Sequence, residues 1–245
     1  MNKSAITLCA LFAFNAASAD TILGIDATAG VWLPGYTGAI GSDNYDLDNL
    51  SLSEDNITTF QAALEHPIPL VPNVLLAHSN IDTDGSAHLI SAVTFDDETF
   101  AVGSEINTNL NLSHTDATFY YEVLDNWVNL DLGLTARRYS GEFTAVSETQ
   151  SETVDLTGYL PMVYAMARFD LPFTGWSLIA QGNGTAYRGD THTDLTAKVR
   201  WNFVPVLDLA FEAGYRVMSL DLEELDDLQS DIDIKGPYIG LNLHL

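Results

Sequence analysis

Two His-x-Asp steps, His114 with Asp116 and His192 with Asp194, are the residues whose types and spacing come nearest to chemistry in this chain. An imidazole beside a carboxylate can take a proton from water, and a hydrolase begins there if both groups reach the attacked bond. In extended backbone each step places its two side chains on one face. The bland account is two solvated steps at the rim of a β-structure, carried by segments that are far apart in the chain.

Charged residues also recur singly inside stretches of apolar alternation: Asp26, Glu122, Asp131, Arg137, Lys198, Arg200, Asp208, Glu212 and Arg216. Arg168 joins them if its own segment keeps the charge off the apolar face. Mixed-sign groups along one face make either a narrow ion path or a plug of paired side chains. A third cluster, Asn80, Asp82, Asp84 and Gly85, is similar to the start of a calcium loop. Asn stands where the first Asp belongs and Ser91 where the bidentate Glu belongs, so the EF-hand pattern fails. No metal centre and no cofactor are expected, beyond loose divalent cations at acidic loops.

These residues need elements to position them, and the alternation supplies strands. From Trp127 onward Val128, Leu130, Leu132, Leu134 and Ala136 oppose Asn129, Asp131, Gly133, Thr135 and Arg137. A period of two is a strand signature. Before the Asp125-Asn126 turn, Ala117, Phe119, Tyr121 and Val123 make a matching apolar face, so the stretch 117–138 reads as a hairpin. The first strand of that hairpin extends back through Ile106, Thr108, Leu110 and Leu112. Similar alternation marks segments near 22–33, 56–64, 73–81, 153–169, 176–181, 192–203, 207–217 and 239–245. Pro161 interrupts one of them, where a bulge or a lost ladder bond is expected.

Ten strands result, with eight or twelve as alternatives, and their connections alternate in kind. Residues 34–55, 82–103, 142–152 and 219–233 are long, polar and mostly acidic, while 66–72, 125–127, 171–175 and 204–206 are short. Transmembrane barrels show short turns at one end and long loops at the other, a pattern that a soluble sandwich has no reason to adopt. Trp127, Phe173, Trp176, Trp201 and Phe203 flank the short turns as an interfacial girdle would. The expected fold is an all-β, antiparallel, up-and-down transmembrane barrel whose charged parity faces the lumen.

Lys3 precedes an apolar run from Ala5 to Ala17 that ends in Ala17-Ser18-Ala19, the form of a secretory signal peptide. Residues 1–19 are therefore expected to direct export and residues 20–245 to form one barrel domain. The single cysteine, Cys9, lies within the leader, which leaves no disulfide framework. A formal charge of −25 argues against nucleic acid as a partner. No apolar run after residue 19 is long enough for a membrane helix, which needs about 20 residues.

The stretches EHPIPLVPN (65–73), YYEVLDNW (120–127), DLPFTGWSL (170–178) and the alternating last strand resemble a group of small outer-membrane β-barrel proteins of Gram-negative bacteria with no assigned function. The resemblance spans essentially all of 20–245, and its motifs mark turns rather than chemistry. It implies residence in the outer membrane among lipid and lipopolysaccharide. It also implies recognition by the barrel-assembly machinery through Ile239, Leu241, Leu243 and Leu245, where the family strand typically ends in an aromatic. The function expected is that of a non-enzymatic barrel with a largely filled lumen and acidic outer loops. A narrow, porin-like channel for small solutes is the alternative. The second alternative is a rim hydrolase placed like the omptins, whose site uses acidic residues and a histidine.

Overall fold

The computed structural model describes residues 23–41, 43–96, 98–187, 190–204, 208–222 and 230–245. The leader expected at 1–19 lies outside the described residues, as do Glu223, Glu224, Asp226 and Asp227 of the last acidic connection. Strands in chain order are β1 (Gly24–Trp32), β2 (Gly35–Ile40), β3 (Tyr45–Asp46), β4 (Ile57–Glu65), β5 (Asn73–Asn80), β6 (Asp82–His88), β7 (Val93–Phe95), β8 (Glu98–Phe100) and β9 (Glu105–Asn111). They continue with β10 (His114–Leu124), β11 (Val128–Tyr139), β12 (Glu142–Val146), β13 (Ser151–Asp155), β14 (Gly158–Leu171), β15 (Trp176–Tyr187), β16 (Asp190–Val204), β17 (Leu209–Leu222) and β18 (Ser230–His244).

Ten of these close on themselves. The order is β1-β4-β5-β10-β11-β14-β15-β16-β17-β18, and β18 returns to β1 from Asp26 opposite His244 to Trp32 opposite Tyr238. Every ladder in the ring is antiparallel between strands consecutive around it, so no backbone edge is left open. This is the transmembrane up-and-down barrel that the alternation predicts. Its outer surface is apolar: Phe60, Leu76, Phe119, Leu132, Leu134, Val163, Leu195 and Leu241 are all exposed. A closed barrel with this exterior suits hydrocarbon, where only internally satisfied backbone is tolerated. Arg138 points outward as its parity requires, high on β11 opposite Thr115 and Tyr159.

Above the ring the wall does not stop. β5, β10, β11 and β14 each continue, after a kink of one or two residues, as β6, β9, β12 and β13, which form a second sheet in the order β13-β12-β9-β6. At the kink beside Gly141 a Cβ would lie 1.9 Å from the Asn111 carbonyl oxygen, so a larger residue would force the two chains apart. Ile106 and Leu110 thus belong to this cap and not to the membrane hairpin. The long connections 34–55, 82–103 and 142–152 contain strands of their own, and the expectation that they are surface loops is corrected accordingly. Phe95, Phe100, Phe143, Ile40, Leu47, Leu50 and Ile81 pack with Trp32 into an apolar core over the barrel mouth. Burial pushes the Tyr36 phenol in that core up to about 12, which keeps it neutral.

Three local expectations also change. β15 and β16 run nearly to their junction, leaving only residues 188–189 between them, so the alternation of long and short connections breaks there. Pro161 causes no bulge, since it sits opposite Ala136 in an unbroken β11–β14 register, but the lost ladder appears on its other side: β14 pairs with β15 only from Val163 onward, although β15 runs on to Tyr187. Asn80, Asp82 and Asp84 lie on β5 and β6 rather than in a loop, and Asn109 Nδ2 donates to Asp82 at 2.8 Å and to Asp84 at 3.0 Å. Extended backbone cannot wrap an ion, and no metal-ligating cluster of three occurs among the described residues.

Candidate functional site

The inward parity of the ten strands brings the charged residues together in layers. In the upper layer Arg137 Nε and Nη2 donate to the two oxygens of Asp116 at 2.8 and 2.7 Å. Arg137 Nη2 also reaches Asp194 Oδ2 at 2.7 Å, and Arg216 grips the same carboxylate through Nε and Nη2 at 2.8 and 2.7 Å. Two carboxylates and two guanidiniums alternate across the lumen, so the layer is neutral. Bidentate geometry and burial make such contacts strong. Arg216 Nη1 donates to Ser79 Oγ at 3.0 Å, and its guanidinium lies 4.6 Å from the Trp32 ring centre.

The histidines stand around this layer without joining a carboxylate. His192 Nδ1 bonds the Ser219 carbonyl at 2.8 Å and therefore carries the proton, while Nε2 accepts from Arg137 Nη1 and the Tyr139 hydroxyl, each at 2.8 Å. His114 Nδ1 bonds the Leu112 carbonyl at 2.9 Å. Both rings, Asp116 and Asp194 are buried. The expected solvated rim is thus a sealed interior, because the cap covers it. Among the described residues neither His114 nor His192 hydrogen-bonds Asp116 or Asp194, since the arginines occupy both carboxylates.

A second neutral layer lies below. Lys198 Nζ and Arg200 Nε each donate to Glu212 at 2.8 Å, and Arg200 Nη1 meets Asp26 at 3.3 Å. Asn242 Nδ2 completes Asp26 at 2.7 Å. Between the layers Thr118, Thr135 and Asn183 form a hydrogen-bonded chain at 2.7 and 2.6 Å, and Gln181 reaches Gln61 at 3.4 Å. The Tyr238 ring, 5.8 Å beneath the Lys198 ammonium, fills space left by Gly30 and Gly240. Cavities of about 40 and about 70 Å³ remain at these depths, room for a few waters.

Toward the short turns the balance fails. A cavity of about 470 Å³ is lined by Glu122 and Asp131 with Glu65, Asp125, Asp170 and Asp208, against Arg168 and the already paired Arg200, with His244 beside Asp26. Arg168 turns inward and meets Asp170 at 3.3 Å. Asp208, at a left-handed turn position, takes a hydrogen bond from Asn202. The aromatics ring this end outside: Trp176 stacks on Trp201 at 5.7 Å, Trp201 meets Phe203 at 5.9 Å, Trp127 meets Phe169 edge-on at 5.3 Å, and Phe173 is fully exposed.

Sequence reasoning overlooked Trp32, Ser79, Tyr139 and Glu65. Trp32 continues the parity of Asp26, Thr28 and Gly30, which is the signal that places it inside. Tyr139 likewise continues the parity of Arg137.

No family model matches the chain, and no curated protein matches it. Among solved structures it is similar to the translocator domain of the autotransporter NalP from Neisseria meningitidis, at 12% identity over 90% of this chain and 88% of that one, with a TM-score of 0.42. It is also similar to the transport unit of the autotransporter AIDA-I from Escherichia coli, at 10% identity over 96% of this chain and 93% of that one, again at 0.42. At such identities and scores neither likeness bears on what this chain does, and the barrel rests on its own ladders.

Proposed function

We propose that the chain is an integral outer-membrane barrel without enzymatic activity, closed to solutes, which serves as a structural or contact protein through the cap it holds outside the membrane. One observation carries this reading: the Asp116–Arg137–Asp194–Arg216 chain spans the lumen beneath an apolar cap. An ion path needs a continuous hydrated route, and here the charges are spent on one another. A hydrolase needs a base that water and substrate can reach, whereas His114 and His192 are buried among their partners.

The same reading includes export by residues 1–19, assembly through the outward-facing Ile239, Leu241 and Leu245 with Leu243 between them, and contact with lipopolysaccharide. Acidic residues at the upper strand ends, Asp221 and Asp231 among them, would hold divalent cations only loosely.

Topology tests it directly, because the segment 20–245 has no native cysteine. Thr149→Cys, in the β12–β13 turn, should react with an impermeant maleimide on intact cells. Ile68→Cys, in the β4–β5 turn, should react only after the cells are opened. The reverse pattern, or recovery of the protein without detergent, contradicts the proposal.

A further inference from the structure

Three rows of side chains cross the outer wall at right angles to β5, β10, β11 and β14. The first is bulky, with Val74, Phe119, Leu134 and Val163 as successive partners. The next, one outward step nearer the cap, runs Ala62, Leu76, Ala117 and Ala136 and is mostly small. The third is polar: His78, Thr115, Arg138 and Tyr159 are partners across the same ladders, and all four are exposed. His78 Nδ1 and Thr115 Oγ1 share a hydrogen bond of 3.0 Å, and His78 Nε2 has no partner among the described residues. Every other described Lys or Arg pairs with a carboxylate, whereas Arg138 has no ion pair among the described residues. The rise along β11 from Trp127 to Arg138 is roughly 28 Å at about 3.3 Å per residue and a tilt of about 40°, slightly more than an apolar band of about 25 Å. Arg138 therefore stands at headgroup level on the side of the cap.

From this geometry we infer that the β5–β10–β11 face binds one phosphorylated glycolipid of the outer leaflet, lipopolysaccharide through its lipid A part. Arg138, with Thr115, His78 and the Tyr159 hydroxyl beside it, takes a phosphate, and the small row beneath takes acyl chains. A guanidinium presents parallel N–H donors that match phosphate oxygens. Toward β1 the small row deepens into a groove of about 520 Å³, floored by Ala27, Ala29 and Ala62 between Phe60, Leu76 and Leu241, with His78 and Thr115 at its end. Polar donors over an apolar groove fit an amphiphile rather than a soluble anion. Charge complementarity selects the lipid: the chain carries a formal charge of −25, and this face offers an anionic headgroup an unpaired cation on the lipid side. The assignment rests on the proposed orientation, with the cap outside.

Native mass spectrometry of the detergent-solubilised protein with diphosphoryl lipid A, in EDTA to remove bridging divalent cations, tests the site. One lipid A per chain is expected, with an affinity weakened about tenfold or more by Arg138→Gln, which removes a charge-assisted contact. Lys235→Gln removes an outward charge that is already paired with Asp233, on β18 across the ring from β11, and should leave binding unchanged. Folding of each variant is checked by heat-modifiable migration. If Arg138→Gln does not refold, Ala136→Phe gives the same readout, because it fills the small row and leaves every charge in place. Full retention of lipid A by folded Arg138→Gln protein, an equal loss in Lys235→Gln, displacement of the lipid by inorganic phosphate alone, or a dimer in place of the lipid adduct would overturn the assignment. The maleimide pattern tests the orientation separately, so the expected pattern without lipid A binding sinks this site alone.

Discussion

Arg137 and Asp194 sit on strands that do not pair, β11 and β16, yet Arg137 Nη2 donates to Asp194 Oδ2 at 2.7 Å across the barrel interior. Two further strands, β14 and β15, lie between them in the wall. A side chain that joins distant staves of a barrel fills the lumen and also braces it.

Arg137→Met should therefore be costly. It strands Asp116, which is ion-paired with Arg137, while Asp194 keeps Arg216. Breaking a buried pair from one side costs about 3–5 kcal/mol. Urea unfolding of the refolded barrel should show a loss of that order, and adding Asp116→Asn should restore much of it. A loss no larger than about 0.5 kcal/mol, as at an ordinary surface position, would mean that the network does not brace the wall.

His192→Ala separates packing from catalysis. Removing the ring leaves the Tyr139 hydroxyl and one Arg137 N–H without their acceptor, at a cost of about 1–3 kcal/mol. Hydrolysis of fluorogenic lipid esters and peptides should stay at background in both the wild type and the variant. A wild-type rate above background that disappears in folded His192→Ala protein would restore the hydrolase reading.

The girdle sets the membrane position. Trp176 and Trp201 stack outside the barrel near the short turns, whereas Trp32 is buried under the cap. Protein retaining only Trp176 and Trp201 should be quenched by lipids brominated near the headgroup more than by lipids brominated at the chain end. Protein retaining only Trp32 should be quenched by neither. Strong quenching of Trp32 would place the membrane at the wrong height.

Alternation made the barrel legible, because in a strand each step of two returns to the same face and the charged residues from Asp26 to Arg216 kept to one of them. It could not say which residues meet across the lumen. Arg137 and Asp194 come together through closure, strand tilt and stagger, which are properties of the whole ring. The cap was hidden for a different reason. Its strands are two to seven residues long and sit in polar, acidic segments, so Phe95, Phe100 and Phe143 are too sparse to show a period. Trp32 was legible by parity alone. Only the structure shows that it seats the Arg216 guanidinium.

A lumen closed by these layers is the central claim, and recording from planar bilayers in concentrated KCl tests it most directly. With insertion verified by protease protection, the wild-type protein should give no unitary current steps above the lipid baseline. Steady, resolvable steps from the wild-type barrel would contradict the account.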